Sequence, residues 1–499
     1  MIPLRTIALH AAARPDAAAL ICPQSQLSWA GLGQQTLQRI ALLLNRYGQE
    51  LPRQACFLTQ NRIDLLPWWA ACTTLGIPVA GLDYSLSASA LRQLLEQAQA
   101  DLLIYAREQL PTGVDLPWLL RPGAWAVDLD APPILSGPYV ASESLEAALA
   151  QFKLPARPFR SLGFTSGTSS TPKLVVRTAS FEARRHSHFI QRYSFNAEDR
   201  FLVSMPLYHA AGHGWARLFL AQGACLHLTA VDVPGELAAS MRRWEISASV
   251  MTPVLLQQLL QQVEALPAER RPDRLRWLLI GGKHCPAPLK LRALTLLGAC
   301  LHEYYGTTET GVNTWAEPQD IAACPQSVGR ALDGSDIAIV DVQGHRLPPL
   351  SVGTVAVHSY QNMACYLNQS SRNLNLGGDT YLLTAEQGYL DASGRLFLLN
   401  RSDDPQHQVH LYRLEDAIRG LPCISDVAIV CVGGGARQRM DCALQVRNTA
   451  DDPERLLARV RHLAAREKVS FSRCQVLPSI PYSPSGKVRV TALAALMGP

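Results

Sequence analysis

Apolar and polar positions follow two rhythms along this chain, and the change from one to the other divides it. From residue 55 a short apolar run (55–59) is followed by a stretch with apolar residues every three or four positions (63–75). A second run (77–82), a second helical stretch (88–98) and a third run (101–106) come next. This succession predicts a βαβαβ unit, since bare apolar runs suit buried strands and a period near 3.6 suits amphipathic helices. The alternation returns with strand candidates at 201–205, 225–228, 248–251, 278–280 and 301–305, and helical patterns at 236–244 and 289–297. Two doubly wound α/β layers are expected. After Ser327 the strand candidates crowd together at 336–340, 353–358 and 395–399, which predicts an antiparallel, barrel-like unit. A polar segment, 400–408, interrupted by Pro405, then separates this unit from a final stretch with its own helices and strands. The expected fold is α/β plus α+β: a large N-terminal domain over 1–400, made of two doubly wound α/β subdomains and the barrel-like one, a hinge over 401–405, and a small α+β domain over 406–499.

Composition narrows the class of protein. A chain of 499 residues exceeds what one core sustains, about 250–300 residues, so several packed units are needed. With 48% apolar and 17% charged residues it reads as globular rather than disordered. The net charge of +5 is spread without a Lys/Arg run, which gives no footprint for nucleic acid or an anionic membrane. No apolar stretch approaches the ~20 residues of a membrane span, and Arg5, His10 and Arg14 break up the start of the chain, so no signal peptide is expected. Twelve cysteines contain no C-x-x-C pair, which argues against a zinc ribbon, a redox motif or a disulfide framework. A reduced, cytoplasmic enzyme is the expectation.

Three segments carry candidate chemistry. Thr165-Ser166-Gly167-Thr168-Ser169-Ser170-Thr171-Pro172-Lys173 is a glycine-hydroxyl run behind an apolar segment. Its hydroxyls and amides suit phosphate oxygens and Lys173 adds a charge, although it is no Walker loop. Tyr304-Tyr305-Gly306-Thr307-Thr308-Glu309 closes a strand candidate with two hydroxyls and a carboxylate, and Glu309 suits magnesium, a hard cation that takes carboxylate and phosphate oxygens. Ser483-Pro484-Ser485-Gly486-Lys487 sets a lysine after a turn. Taken singly, a Ser/Thr-rich surface loop, a capped helix start and a solvated loop lysine are the plain alternatives.

In this order the three segments resemble the adenylate-forming superfamily of acyl-CoA synthetases, peptide-synthetase adenylation domains and firefly luciferase, and the resemblance spans essentially the whole chain. Leu207-Tyr208-His209 with Gly212 looks like that family's acyl-pocket entry, Gly281-Gly282 like its adenine-side turn, and 395–404 like its hinge, with Asn400-Arg401 in place of Gly-Arg. The resemblance implies ATP-dependent conversion of a carboxylic acid to an acyl-adenylate, with pyrophosphate released and the acyl group passed to a thiol. Thr165, Ser166, Gly167, Thr168, Ser169 and Lys173 would hold the β- and γ-phosphates, and Gly281, Gly282, Tyr305 and Gly306 would lie along the nucleotide. Thr308 and Glu309 would serve the α-phosphate and magnesium. Glu386 and Arg401 would touch the ribose, and Lys487 would bridge the substrate carboxylate and the α-phosphate. His209, Gly212 and His213 would face the acid, and Asp403 would be the pivot of a mobile C-terminal domain. The implied cofactors are ATP and magnesium. The implied acceptor is coenzyme A or the phosphopantetheine of an acyl or peptidyl carrier protein.

Several positions depart from the family pattern. Ser170 and Leu174 stand where two glycines are usual, Thr384-Ala385-Glu386 where Thr-Gly-Asp is usual, and Arg489 lies one place nearer the lysine. The segment 409–415 lacks the usual glycine before Arg413, which bears on the thiol-accepting surface. These departures keep open a second class, a degenerate homologue that binds a nucleotide or a carrier protein without catalysis. An amino-acid-selecting relative would carry an aspartate near the pocket entry; 207–215 offers His209, His213 and Trp215 but no acid, which favours an acyl or aryl acid.

Overall fold

A computed structural model describes residues 1–48, 50–131, 145–152, 154, 157, 160–165, 172–229, 236–401, 410–432, 439–447, 452–484 and 486–498. Contacts divide the chain into two compact units. One comprises Met1–Met251, Gln262–Leu278 and Gln361–Ser371, the other Thr252–Gln261, Leu279–Tyr360 and Arg372–Pro499.

The first unit contains the two α/β layers. Strands Ala55–Leu58, Val79–Gly81, Leu102–Tyr105 and Trp125–Asp128 form a parallel sheet. The helix Ala88–Ala98 begins where Ser87 accepts a hydrogen bond from the Ala90 amide, and its Leu91, Leu94, Leu95 and Ala98 join the core with Cys56, Leu58 and Leu103. The second layer runs Ala18–Cys22, Cys225–Leu228, Arg200–Val203, Ala248–Met251, parallel throughout, with Ser25–Ser28 folded back antiparallel on its edge. Its central strands, Cys225–Leu228, Arg200–Val203 and Ala248–Met251, are buried along most of their length, so they read as largely apolar runs rather than alternations. A third, antiparallel sheet pairs Arg160–Phe164 with Leu174–Thr178, and the latter with Cys365–Tyr366.

The second unit is mostly antiparallel. Strands Leu301–Thr307, Gly311–Ala316 and Arg330–Ala331 form one meander. Ser335–Val340, Gly353–Ser359, Asp379–Leu390, Asn373–Leu376 and Leu396–Arg401 form a five-stranded sheet over a core of Tyr305, Val328, Ile337, Val355 and Leu396. Toward the C-terminus, Ile424–Val432, Arg439–Val446 and Arg473–Val476 make a three-stranded sheet. The helices Leu411–Arg419 and Pro453–Arg466 cover it with Leu414, Ile418, Leu456 and Val460. This is the α+β pattern expected there. Among the described residues no helix is long and apolar enough to cross a membrane.

Candidate active site

In the second unit, the segment read as a strand ending in a ligand turn is a β-hairpin rather than a helix start. Gly306 permits it: a Cβ there would fall 1.9 Å from the Gly311 carbonyl oxygen. Thr307 closes the turn. Its hydroxyl accepts from the amides of Glu309 (3.2 Å) and Thr310 (3.1 Å) and pairs with the Thr310 hydroxyl at 2.9 Å. The buried Asn313 side chain donates to the same Thr310 oxygen at 2.7 Å. Thr308 and Glu309 therefore sit on a stapled tip whose backbone has little freedom, half-buried rather than loose in solvent.

Glu386 lies inside the long strand Asp379–Leu390, in register with Arg401 on Leu396–Arg401. The Arg401 Nε stands 3.8 Å from the carboxylate. Thr384 orients the strand locally, donating to the Val355 carbonyl at 2.8 Å and accepting from the Glu386 amide at 3.1 Å. Burial pushes the Glu386 carboxyl above its ordinary value. Arg401 and Lys487 and a hydrogen bond from Tyr412 act in the opposite direction, while Glu309 adds to the rise. Four charged or phenolic side chains of the second unit thus act on one carboxylate.

Lys487 follows a tight turn in which the Ser483 amide donates to the Lys487 carbonyl (2.7 Å) and the Gly486 amide to the Ser483 carbonyl (2.8 Å). The Ser483 hydroxyl accepts from the Lys487 amide at 3.2 Å, and Tyr482 bridges to Val488 across the turn. Gly281 and Gly282 follow directly on the strand Trp277–Ile280, and the buried Tyr305 lies on Leu301–Thr307.

The first unit holds the other candidates. Thr165 and Lys173 join the two ends of the glycine-hydroxyl loop. The Thr165 amide donates to the Lys173 carbonyl at 2.8 Å, and the Thr165 hydroxyl accepts from the Lys173 amide at 2.9 Å. The Lys173 ammonium lies 5.0 Å from the centre of the Tyr366 ring. Ser166, Gly167, Thr168 and Ser169 lie outside the described residues, as does Asp403.

His209 caps the helix Ala210–Ala221, its Nδ1 accepting from the Ala211 amide at 3.4 Å. Gly212 has a packing reason, since a Cβ there would fall 2.2 Å from the Pro206 carbonyl oxygen. His213 is buried against Trp69, ring centres 5.4 Å apart, with Nδ1 3.3 Å from the Leu207 carbonyl. Burial holds its imidazole well below the usual value and the guanidiniums of Arg217 and Arg177 add to the effect. Nearby His186 is driven to about 2, by burial first and then by Arg217 and Arg185. All three arginines are themselves buried. Sequence reasoning also missed Asn61, whose amide donates to the carbonyls of Val203 (3.2 Å) and Met205 (3.0 Å) and accepts from the Leu207 amide (2.8 Å), fixing the path into His209.

Two more missed residues stand in the second unit. The Tyr412 hydroxyl lies 3.5 Å from Glu386 Oε2, and its ring is stacked on His284, centres 4.6 Å apart and planes 5° from parallel. Tyr412 falls within the segment 409–415 noted above, but nothing there singles out the tyrosine, and His284 lies just beyond the Gly281-Gly282 turn. Their pairing across more than a hundred residues leaves no local signal.

The arrangement offers an acceptor carboxylate, two cations and a rigid turn ending in a second carboxylate, a set suited to a polyhydroxylated anion such as a nucleotide. Comparison with known proteins agrees. The family model described as AMP-binding enzyme matches residues 7–367. The chain is 24% identical to an indoleacetate–CoA ligase of Aromatoleum aromaticum, over 84% of this chain and 83% of that protein. It is 23% identical to the fatty acid–[acyl-carrier-protein] ligase ScoC of Streptomyces coeruleorubidus, over 97% and 94%. Among solved structures it resembles the o-succinylbenzoate CoA synthetase MenE of Bacillus subtilis in complex with its acyl-adenylate intermediate. The TM-score is 0.79 at 21% identity, covering 98% of this chain and 97% of that one, a likeness of fold.

Proposed function

The chain belongs to the family of AMP-binding enzymes, and on that premise we propose that it activates a carboxylic acid with ATP as an acyl-adenylate and then transfers the acyl group to a thiol. The observation that carries this reading is the set of Arg401, Lys487 and Glu309 acting on Glu386, because it would supply hydroxyl recognition and phosphate neutralisation in one neighbourhood.

A free carboxylate resists nucleophiles, since it is anionic and its oxygen leaves poorly. Attack of that oxygen on the α-phosphorus of ATP forms the new P–O bond, breaks the bond to the β-phosphate and releases pyrophosphate. A thiol then displaces AMP from the mixed anhydride. No protein nucleophile is needed, so catalysis rests on positioning and on charge stabilisation. Lys487 would neutralise the attacking carboxylate and the α-phosphate, two anions that otherwise repel. Glu386 and Arg401 would take the ribose, with Tyr305, Gly306 and the Gly281-Gly282 turn along the nucleoside. Thr165 to Ser169 and Lys173 would hold the outer phosphates. Glu309 is a single carboxylate on a rigid tip, which fits magnesium because that ion is usually held by one or two carboxylates plus nucleotide phosphates. The ion, when bound, supplies further neutralisation of phosphate charge.

Residues 1–400 would form the adenylate-forming domain, with a hinge at 401–405 that includes Asp403. Residues 406–499 would bring in Lys487 for the first step and withdraw it for the second. The acid would be an acyl or aryl acid. His209, Gly212 and His213 present no anion for a substrate ammonium, and the acids named for the two ligase relatives, indoleacetate and a fatty acid, carry none. The thiol would be coenzyme A or a carrier protein's phosphopantetheine.

The test is product identification after incubation with ATP, magnesium and mixed carboxylic acids, with the two thiol acceptors added separately. Acid-dependent AMP and pyrophosphate are expected. Nucleotide binding without acid-dependent pyrophosphate would instead make the chain a binding module, and ADP as product would make it a phosphotransferase.

A further inference from the structure

We propose that the imidazole face of His284 is the base-stacking surface of the nucleotide site, and that Tyr412 is its internal occupant, which ATP or AMP must displace in order to bind. The inference rests on the nucleotide reading above and goes one step beyond it.

The helix Leu411–Arg419 turns Leu414 and Ile418 into the core of its own sheet. Tyr412 and Asp416, one turn apart, share another face, where residues four apart are neighbours. Both reach the same histidine. Asp416 Oδ1 lies 2.9 Å from His284 Nε2, which fixes the imidazole plane. The Tyr412 ring lies flat on that plane at 4.6 Å. The phenol's far edge meets Glu386, the acid assigned to the ribose, at 3.5 Å.

One tyrosine therefore makes both contacts that a nucleoside would make, a flat ring on an aromatic face and a hydroxyl on an acceptor carboxylate. With Tyr412 in place the His284 side chain is only 12% exposed and that of Glu386 13%, so little of either surface is left for a second ring or a sugar. The contact to Glu386 is at the long end of hydrogen-bond range, and its loss is easily offset by ribose hydroxyls in good geometry. Burial and the Glu386 carboxylate both push the Tyr412 phenol well above its usual value, so it stays protonated and can only donate to that acid.

The experiment measures AMP binding calorimetrically in the full chain, comparing wild type with Tyr412→Ala, Tyr412→Phe and the double variant Tyr412→Ala/His284→Ala. An internal competitor predicts that Tyr412→Ala binds AMP about fivefold more tightly, the order of one aromatic contact, with Tyr412→Phe between it and wild type. Adding His284→Ala should cancel that gain. If Tyr412→Ala binds AMP equally well or more weakly, the tyrosine is a wall of the site and the proposal is overturned. Unchanged affinity on adding His284→Ala overturns the stacking role alone. No AMP binding by wild type or any variant would remove the nucleotide reading itself, and this inference with it.

Discussion

Around Glu386 charges of both signs meet, whereas the charges that act on His213 and His186 are all positive. Both neighbourhoods are buried, and burial alone would neutralise whatever it encloses. In the second unit Arg401 and Lys487 act against that effect, although burial still leaves the Glu386 carboxyl above its ordinary value. In the first unit Arg177, Arg185 and Arg217 reinforce it, and the two histidines are held neutral. The contrast separates polar residues that can follow charge during a reaction from polar residues that can only shape a surface. By this measure His213 is a poor proton carrier and a good neutral wall, while the Glu386 neighbourhood suits a reaction that builds and moves phosphate charge.

The strongest way to break the comparison is Lys487→Ala. Removing one preorganised donor from a developing phosphate charge costs about 3–4 kcal/mol, or ~10²–10³ in rate. Pyrophosphate exchange should fall by that factor, while thioester formation from a chemically supplied acyl-adenylate largely survives. Equal loss of both steps in a folded variant would show that the lysine is not specific to adenylation.

Glu386→Gln comes next, with AMP affinity expected to drop about tenfold as a charged hydrogen-bond acceptor is lost. The pH dependence gives a sharper reading. A carboxyl whose value is raised protonates earlier as pH falls, so wild-type affinity should be complete well above that value and decline at a higher pH than an ordinary carboxylate would dictate. The Gln variant should lack this acid limb. A limb that persists unchanged in the variant belongs to another group.

Lys173→Ala should weaken apparent ATP affinity roughly fivefold, about 1 kcal/mol for one half-buried cation on a phosphate, and leave AMP affinity nearly unchanged. An equal effect on both nucleotides would move the lysine away from the outer phosphates. Smallest of all, His213→Gln should leave the pH dependence of turnover unaltered between about pH 6 and 8, because the wild-type imidazole is neutral throughout that range. Loss of a limb there would overturn the assignment of a silent histidine.

Much of the fold was legible because its strands and helices announce themselves locally. The helix at 88–98 and the strands at 225–228 and 248–251 appear with the bounds expected from periodicity, Ser87 providing the start signal of the first. The hairpin partner Gly311–Ala316 was not legible. Its buried Asn313 and Thr314 look like loop residues until their hydrogen bonds to Thr310 and Val328 are seen. Nor was Asp379–Leu390, whose first residues are polar and exposed and whose Thr384 and Glu386 are held by neighbouring strands. Among site residues, the resemblance supplied those lying in contiguous motifs. It assigned no role to Asn61, His284 or Tyr412, each of which acts through a partner that only the fold brings near.

The stack of Tyr412 on His284 has a kinetic consequence. A ligand tethered to its own site competes at a fixed effective concentration that dilution cannot change, so it lowers the apparent affinity of every nucleotide by the fraction of time it is seated. Substrate ATP and product AMP share the same nucleoside and lose affinity by the same factor. The overall equilibrium is untouched, and because the tyrosine reseats only in the emptied site, it slows the return of a departed nucleotide rather than speeding its departure. Substrate present well above its apparent dissociation constant tolerates that loss, whereas scarcer product is kept from rebinding.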